Sequence, residues 1–182
     1  KQFMEFSELL KSINSLEATY PPVHLWNPDL CEGVEMRIDR EGNWYYQNSI
    51  IGRDKLKILF SRILKFENGN YYLVTPVEKV IVKVDIAPYM IVDYEVDPEQ
   101  KNILLKTNLD YNFTLDEHHP IELKVIQKES IPFVKIRDGL EGFISRSVFY
   151  SLVELALTQE QHSENELMLS SYGQNFSLGP IS

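Results

Sequence analysis

The chain has 182 residues, and 18 Lys and Arg against 27 Asp and Glu give it a formal charge of −9. With 43% hydrophobic residues it holds enough apolar surface to close a core, which excludes wholesale disorder. No run approaches the roughly 18 consecutive apolar residues of a membrane-spanning helix, and a pI near 5.0 argues against long nucleic acid, which needs a concentrated basic surface.

Cys31 is the one cysteine, so no intrachain disulfide can form and a cytoplasmic location is expected. The start carries no basic n-region followed by an apolar h-region, and it opens on Lys1 rather than Met.

Phe3, Phe6, Leu9, Leu10, Ile13 and Leu16 recur at helical steps and predict an amphipathic helix over about residues 3 to 17. Tyr20 to Pro28 holds three prolines and reads as an extended connector whose Val23, Leu25 and Trp26 want a surface to pack on. Met36 and Ile38 then alternate with Arg37 and Asp39, a half-buried strand. Gly42 turns the chain, and Trp44 begins the return strand of a hairpin. Leu56, Leu59, Phe60 and Ile63 step round a helix to about Lys65, which Asn68-Gly69 is expected to end before a strand at Tyr71 to Thr75. From Val77 onward short strands follow one another: Lys79 to Val84, Met90 to Val96, Asn102 to Thr107, Tyr111 to Leu115, Ile121 to Gln127, Pro132 to Arg137 and Leu140 to Ile144. A closing helix covers Ser145 to Thr158. Residues 159 to 182 lose the helical period and hold no Lys or Arg, which predicts a mobile acidic tail.

The expected fold is α+β. An N-terminal helix (1–19) precedes a hairpin-helix lobe (20–76), an antiparallel barrel-like lobe closed by a helix (77–158) and the tail (159–182). Ile51-Gly52-Arg53 and Ile144-Ser145-Arg146 both lead from strand into helix, so the two lobes read as related, with Arg53 and Arg146 at equivalent junctions.

Several strings resemble a bacterial family, domain of unknown function twelve eighty-five. They are Pro21-Pro22-Val23 with Trp26 and Pro28, Met36-Arg37-Ile38, Trp44-Tyr45-Tyr46, Ile51-Gly52-Arg53 and Tyr72 through Lys79. Farther on come Ala87-Pro88, Thr107-Asn108, His119-Pro120, Arg137 with Gly139-Leu140, and Arg146 with Tyr150. The similarity spans about residues 20 to 158. It implies a duplicated core, a C-terminal lobe superficially like a pleckstrin-homology fold, and a small, nucleotide-like ligand held between the lobes in signalling. It implies no activity.

The residues themselves offer no G-x-S-x-G, Walker, dinucleotide or H-E-x-x-H motif and point to no cofactor. His118 and His119 are adjacent, and successive strand side chains face opposite ways, so a capped turn before Pro120 is preferred to a metal site. Arginine placement is the stronger lead. Residues 20–76 carry seven basic and seven acidic residues, 77–158 nine and fourteen, and 159–182 none and three. Arg37, Arg40, Arg53 and Arg62 all belong to the neutral segment. A guanidinium matches phosphate or carboxylate in bidentate fashion. The candidate ligand-binding residues are therefore Arg37, Arg53, Arg137 and Arg146, with Thr75, Glu78 and Lys79 as an expected inter-lobe hinge, Asn108, and Trp44 and Tyr46 as a stacking pair. Ion pairs of Arg53 and Arg146 with Glu78 or Asp54, and Trp44 and Tyr46 as core, are the alternatives. The functional expectation is a non-enzymatic module for a small anion. The other readings are a protein-interaction module gripped at Tyr20 to Pro28, and a hydrolase or transferase using Glu78 with Lys79.

Overall fold

The computed structural model describes residues 20–99, 101–159 and 163–181. The helix expected at residues 3 to 17 lies outside them. The chain divides into two compact units between Pro88 and Tyr89.

In the first unit a 3-10 turn (Val23–Leu25) precedes β1 (Met36–Ile38), β2 (Trp44–Tyr46), β3 (Ser49–Ile50), α1 (Asp54–Arg62), β4 (Leu64–Glu67), β5 (Asn70–Val74) and β6 (Lys79–Val84). The sheet order is β3-β2-β1-β6-β5-β4. Neighbours are antiparallel except at the centre, where β1 and β6 run parallel with Met36 opposite Val82. Met36 and Ile38 are buried and Arg37 between them is exposed, as the alternation requires. Phe60 of α1 stacks on Trp44, ring centres 6.2 Å apart, so one sheet face and one helix stripe share a core. The proline-rich connector is strapped down: Pro21 and Val23 are buried, Lys65 Nζ donates to the Trp26 carbonyl (3.1 Å) and Cys31 N–H to the Lys79 carbonyl (2.7 Å).

The helix ends three residues earlier than expected, because Ile63 leaves helical geometry and Leu64 starts β4. Asn68-Gly69, with φ of +52° and +81°, is a two-residue hairpin turn between β4 and β5 rather than a helix stop.

The second unit contains β7 (Tyr89–Val96), β8 (Ile103–Thr107), β9 (Asn112–Thr114), β10 (Ile121–Ile126), β11 (Glu129–Arg137), β12 (Leu140–Ile144), α2 (Arg146–Thr158), β13 (Glu166–Ser171) and β14 (Gln174–Pro180). Its sheet order, β10-β11-β12-β7-β8-β9, is the first sheet's order counted from β7. Its central pair, β7 with β12, is again parallel. The duplicated unit is thus two three-stranded meanders joined through their first and last strands. The helices are not part of that repeat: α1 follows the third strand of its sheet and α2 the sixth. Arg53 and Arg146 therefore do not stand at equivalent junctions, contrary to expectation.

Two further expectations change. The lobe boundary falls at Pro88 rather than residue 76, because β6 is a central strand of the first sheet. Residues 20–88 then carry nine basic and nine acidic residues, and 89–182 seven and fifteen. The expected mobile tail is corrected at residues 166 to 180, which form a hairpin turned by Tyr172-Gly173, both at positive φ. Leu167, Leu169, Phe176 and Leu178 are buried along it. Gln159 brackets Ser170 through that residue's N–H (2.8 Å) and carbonyl (3.1 Å). Buried Ser171 accepts from Ile103 N–H (2.9 Å) and donates to the Leu115 carbonyl (2.7 Å), tying the hairpin to both ends of the β8–β9 segment.

The parallel seam of the second sheet leaves no room at Gly142, where a Cβ would lie 2.8 Å from Ile136 Cδ1 and 3.1 Å from Tyr89 Cβ. Gly142→Ala is expected to cost about 1–3 kcal/mol in urea denaturation, the usual range for overpacking. Gly52→Ala, with open space around it, should be neutral or slightly stabilising. Ser171→Ala orphans two buried backbone groups and should cost about 1–3 kcal/mol. Unchanged midpoints for Gly142→Ala and Ser171→Ala would contradict both accounts.

Candidate functional site

In the first unit most of the candidate residues are committed to structure. Arg37 Nη2 and Nε donate to Asp85 (2.7 and 3.3 Å), and its guanidinium carbon lies 5.9 Å from the Tyr45 ring centre. Trp44 is fully buried on Phe60, and so offers no face to a ligand; Tyr46, on the same strand face, lies at the exposed rim. The Trp44 indole Nε1 is buried with no hydrogen-bond partner among the described residues. Arg53 precedes α1 with an exposed side chain. The neighbouring Asp54 pairs with Lys57 at 2.8 Å rather than with Arg53.

Thr75 to Lys79 is not a hinge between units. Val74 pairs with Lys79 across the β5–β6 hairpin, and the Thr75 hydroxyl accepts from the Val77 and Glu78 amides (3.3 and 3.0 Å), an ordinary turn device. Lys79 Nζ donates to Glu67 (3.1 Å) and sits 4.3 Å from the Tyr72 ring centre, while Lys65 reaches the same carboxylate at 3.4 Å. Lys79 is the largest stabiliser of ionised Glu67, whose carboxyl is held below its ordinary pKa.

In the second unit, Asn108 Oδ1 accepts from Met90 N–H (3.0 Å), and the Asn108 amide donates back to the Met90 carbonyl (2.9 Å). Arg146 opens α2 and is exposed. Arg137 is different. Its position follows from a β-bulge: Lys135 faces Glu141 and Arg137 faces Leu140, with Ile136 inserted between them. Strict alternation would put Arg137 on the Lys135 face. The extra residue turns it beside Tyr89 instead, where Nε donates to the tyrosine oxygen (3.2 Å) and the guanidinium lies 6.0 and 5.9 Å from the Tyr89 and Tyr111 ring centres. Nη1 donates to Asp138 at 2.9 Å, and the side chain is only 9% exposed.

At this hairpin end lies a cavity of about 360 Å³ bordered by His118, Lys135, Arg137, Asp138 and Glu141. Lys135 is exposed and makes no side-chain hydrogen bond or ion pair among the described residues. Glu141 is neutralised by Lys124, which donates to both its oxygens at 2.9 Å. His119 Nδ1 bonds Asp116 at 2.7 Å and its ring packs on Phe113, whereas exposed His118 lies 3.6 Å from Glu117. The two adjacent imidazoles therefore serve different partners. A larger cavity of about 770 Å³ lies between the β7–β8 turn, the end of α2 and the last hairpin. Its Gln159 and Ser171 walls are spent on holding that hairpin. Residue type singles out Arg137 but neither Lys135 nor the bulge, whose local sign in the sequence is Asp138-Gly139, a tight turn at φ +48° and +76°.

Among the described residues no helix is long and apolar enough to cross a membrane, and no three His, Cys, Asp or Glu side chains converge as metal ligands would.

The family models described as domain of unknown function (DUF1285), N-terminal domain, and protein of unknown function (DUF1285), C-terminal domain, match residues 21–87 and 88–178. Their junction falls within one residue of the division between the two units. A DUF1285 family protein from Silicibacter pomeroyi DSS-3 is 36% identical over 95% of both chains, with a TM-score of 0.80. One from Shewanella baltica OS155 is 28% identical over 68% of this chain and 94% of its own, with a TM-score of 0.55. No curated protein matches the chain.

Two part-buried carboxylates contribute to the acid limb of stability. Burial pushes Asp39 up, but donors from Asn43, Glu41 and Tyr45 outweigh it. Burial likewise pushes Asp116 up and hydrogen bonds from His119 and His118 outweigh it, so both carboxyls sit below their ordinary value. A depressed folded pKa gives stability that is complete above the unfolded value of about 3.9 and is lost as pH falls through the folded one. Asp39→Asn and Asp116→Asn should each flatten the fall in melting temperature below about pH 4. An acid limb as steep as the parent's in both variants would refute this.

Proposed function

The chain belongs to the DUF1285 family, and we propose that this member is a non-enzymatic cytoplasmic module that binds a small anionic ligand and reports it to a partner protein in signalling. The ligand site is the bulged β11–β12 hairpin of the second unit. What carries the reading is a cavity bordered both by Arg137, whose side chain is nine-tenths buried among tyrosines, and by Lys135, exposed and without an ion pair among the described residues. A guanidinium gives directional donors and an ammonium a mobile point charge. The pleckstrin-homology-like character of the second unit is taken from the resemblance, and the function is argued from the site rather than from the fold. The hydrolase or transferase reading loses its footing, because Glu78 and Lys79 belong to a hairpin turn and Lys79 is occupied by Glu67 and Tyr72.

A protein-interaction role has one observation of its own. On the strapped connector Leu25 is 71% exposed although Pro21 and Val23 are anchored. Partner capture that survives Lys135→Ala and is lost in Leu25→Asp would favour it.

Calorimetry against a panel of small carboxylates, phosphometabolites and nucleotides should find a binder whose affinity falls about tenfold, or about 1.4 kcal/mol, in Lys135→Ala. Arg37→Ala, which removes an ion pair to Asp85, should leave binding unchanged. A blank across the panel would sink the proposal.

A further inference from the structure

We infer that the outer edge of β10 pairs with β10 of a second copy of this chain, joining two sheets into one, whatever ligand the β11–β12 cavity takes. The direction of the backbone groups follows from the pairing with β11. Leu123 faces Pro132, which has no N–H, so the ladder bonds fall on the flanking pairs, Glu122 with Phe133 and Lys124 with Ile131. The Gln127-Lys128 turn, both residues at positive φ, closes on Ile126 with Glu129 in the same phase. Lys135 N–H reaches the Pro120 carbonyl (3.4 Å), again in phase. The N–H and C=O groups of Ile121, Leu123 and Val125 therefore point away from β11, and they have no backbone partner among the described residues.

Open edges of this kind are normally short, covered or guarded by charge. The strands at the other sheet ends, β3, β9 and β4, have 2, 3 and 4 residues, against 6 in β10. In the first sheet the strand equivalent to β10 is β4, and there the connector lies alongside, its Trp26 carbonyl held by Lys65. β14 meets β10 at Gly179, where a Cβ would lie 3.3 Å from Leu123 Cδ1, but its hydrogen bonds go to β13 in a separate sheet. Val125 is left 76% exposed.

Run antiparallel, β10 is complementary to itself. Centred on Leu123, the register sets Leu123 opposite Leu123 and Ile121 opposite Val125 as hydrogen-bonded pairs. Glu122 then faces Lys124 in the closer, non-hydrogen-bonded pairs. Centring on Glu122 or on Lys124 instead opposes like charges, which disfavours the slipped registers. Glu122 is exposed and makes no ion pair among the described residues, so its carboxylate is available to the second copy. Lys124, which donates to Glu141 at 2.9 Å, would be shared between the two carboxylates. A contact of this symmetry closes on a dimer rather than growing into a fibre.

Sedimentation velocity on the full chain from about 1 µM to 1 mM should show a reversible monomer–dimer equilibrium. Over the same range, amide hydrogen exchange should slow with concentration at Ile121, Leu123 and Val125, while Glu122, Lys124 and Ile126 stay protected throughout. Val125→Pro removes an outward donor and no ladder donor, and Glu122→Lys sets like charge opposite Lys124 in both copies. Each should weaken the dimer about tenfold or more. A chain that stays monomeric throughout overturns the inference, even one that takes up an unrelated extended peptide at this edge. So does a dimer without the alternating protection, or one that both variants leave intact, because it is held elsewhere.

Discussion

Each sheet depends on one parallel seam, β1 against β6 and β7 against β12, where the first and last strands of a six-strand set meet. Parallel neighbours cannot be joined by a tight turn, so the chain leaves the seam on one side, runs a three-stranded meander, and returns through a second meander on the other. The antiparallel pairings within each six-stranded sheet are those two meanders, and the β13–β14 hairpin stands outside them. In the first unit the return path carries α1, whose Phe60 covers Trp44. In the second it is a short loop at residues 115 to 120, stiffened by Asp116, so the helix comes later and covers the sheet from the chain's far end.

The same constraint distributes charge. Arg37 and Asp85 meet because β1 and β6 run side by side, and Lys65, Lys79 and Glu67 meet because β4, β5 and β6 present one face. These pairs hold partly exposed cations in a neutral unit, where each contributes little to stability and much to keeping the sheet face soluble. The second unit has few cations to spend, and most of those near the β11–β12 hairpin are answered locally. Lys135 makes no ion pair there among the described residues.

Much of the fold was legible in the order of residues. Two-residue alternation located β1, β2 and β5 to β12, and the helical stripe with Ser145 as cap located α2, where the Ser145 hydroxyl accepts from Val148 N–H at 3.4 Å. The misses share a cause. Leu64 and Phe66 fit both the continuation of a helix stripe and the alternation of a strand, and Asn68-Gly69 suits either a helix stop or a hairpin. Only the pairing of Leu64 with Leu73, made through space, decides it. Residues 166 to 178 carry no helical period, yet Leu167, Leu169 and Ser171 alternate as a strand requires. Trp44 and Tyr46 look alike on one strand face, and only the reach of α1 separates core from rim. Parallel seams and the lobe boundary they set are non-local, and no short window contains them. For the candidate site, Arg137 could be picked from its residue type, but its turn toward Tyr89 required the inserted Ile136.

That insertion bears on how this hairpin end changes in descent. A bulge is one residue of length, not a kind of residue. Removing the Ile136 codon restores regular pairing and leaves the arginine opposite Leu140, with every charge still in the sequence, but takes away the local bend and twist that a bulge gives its strand. Two relatives identical in their ionic residues can therefore differ in how this hairpin end is twisted. The spacing from Phe133 to Gly139 is the heritable mark of that twist.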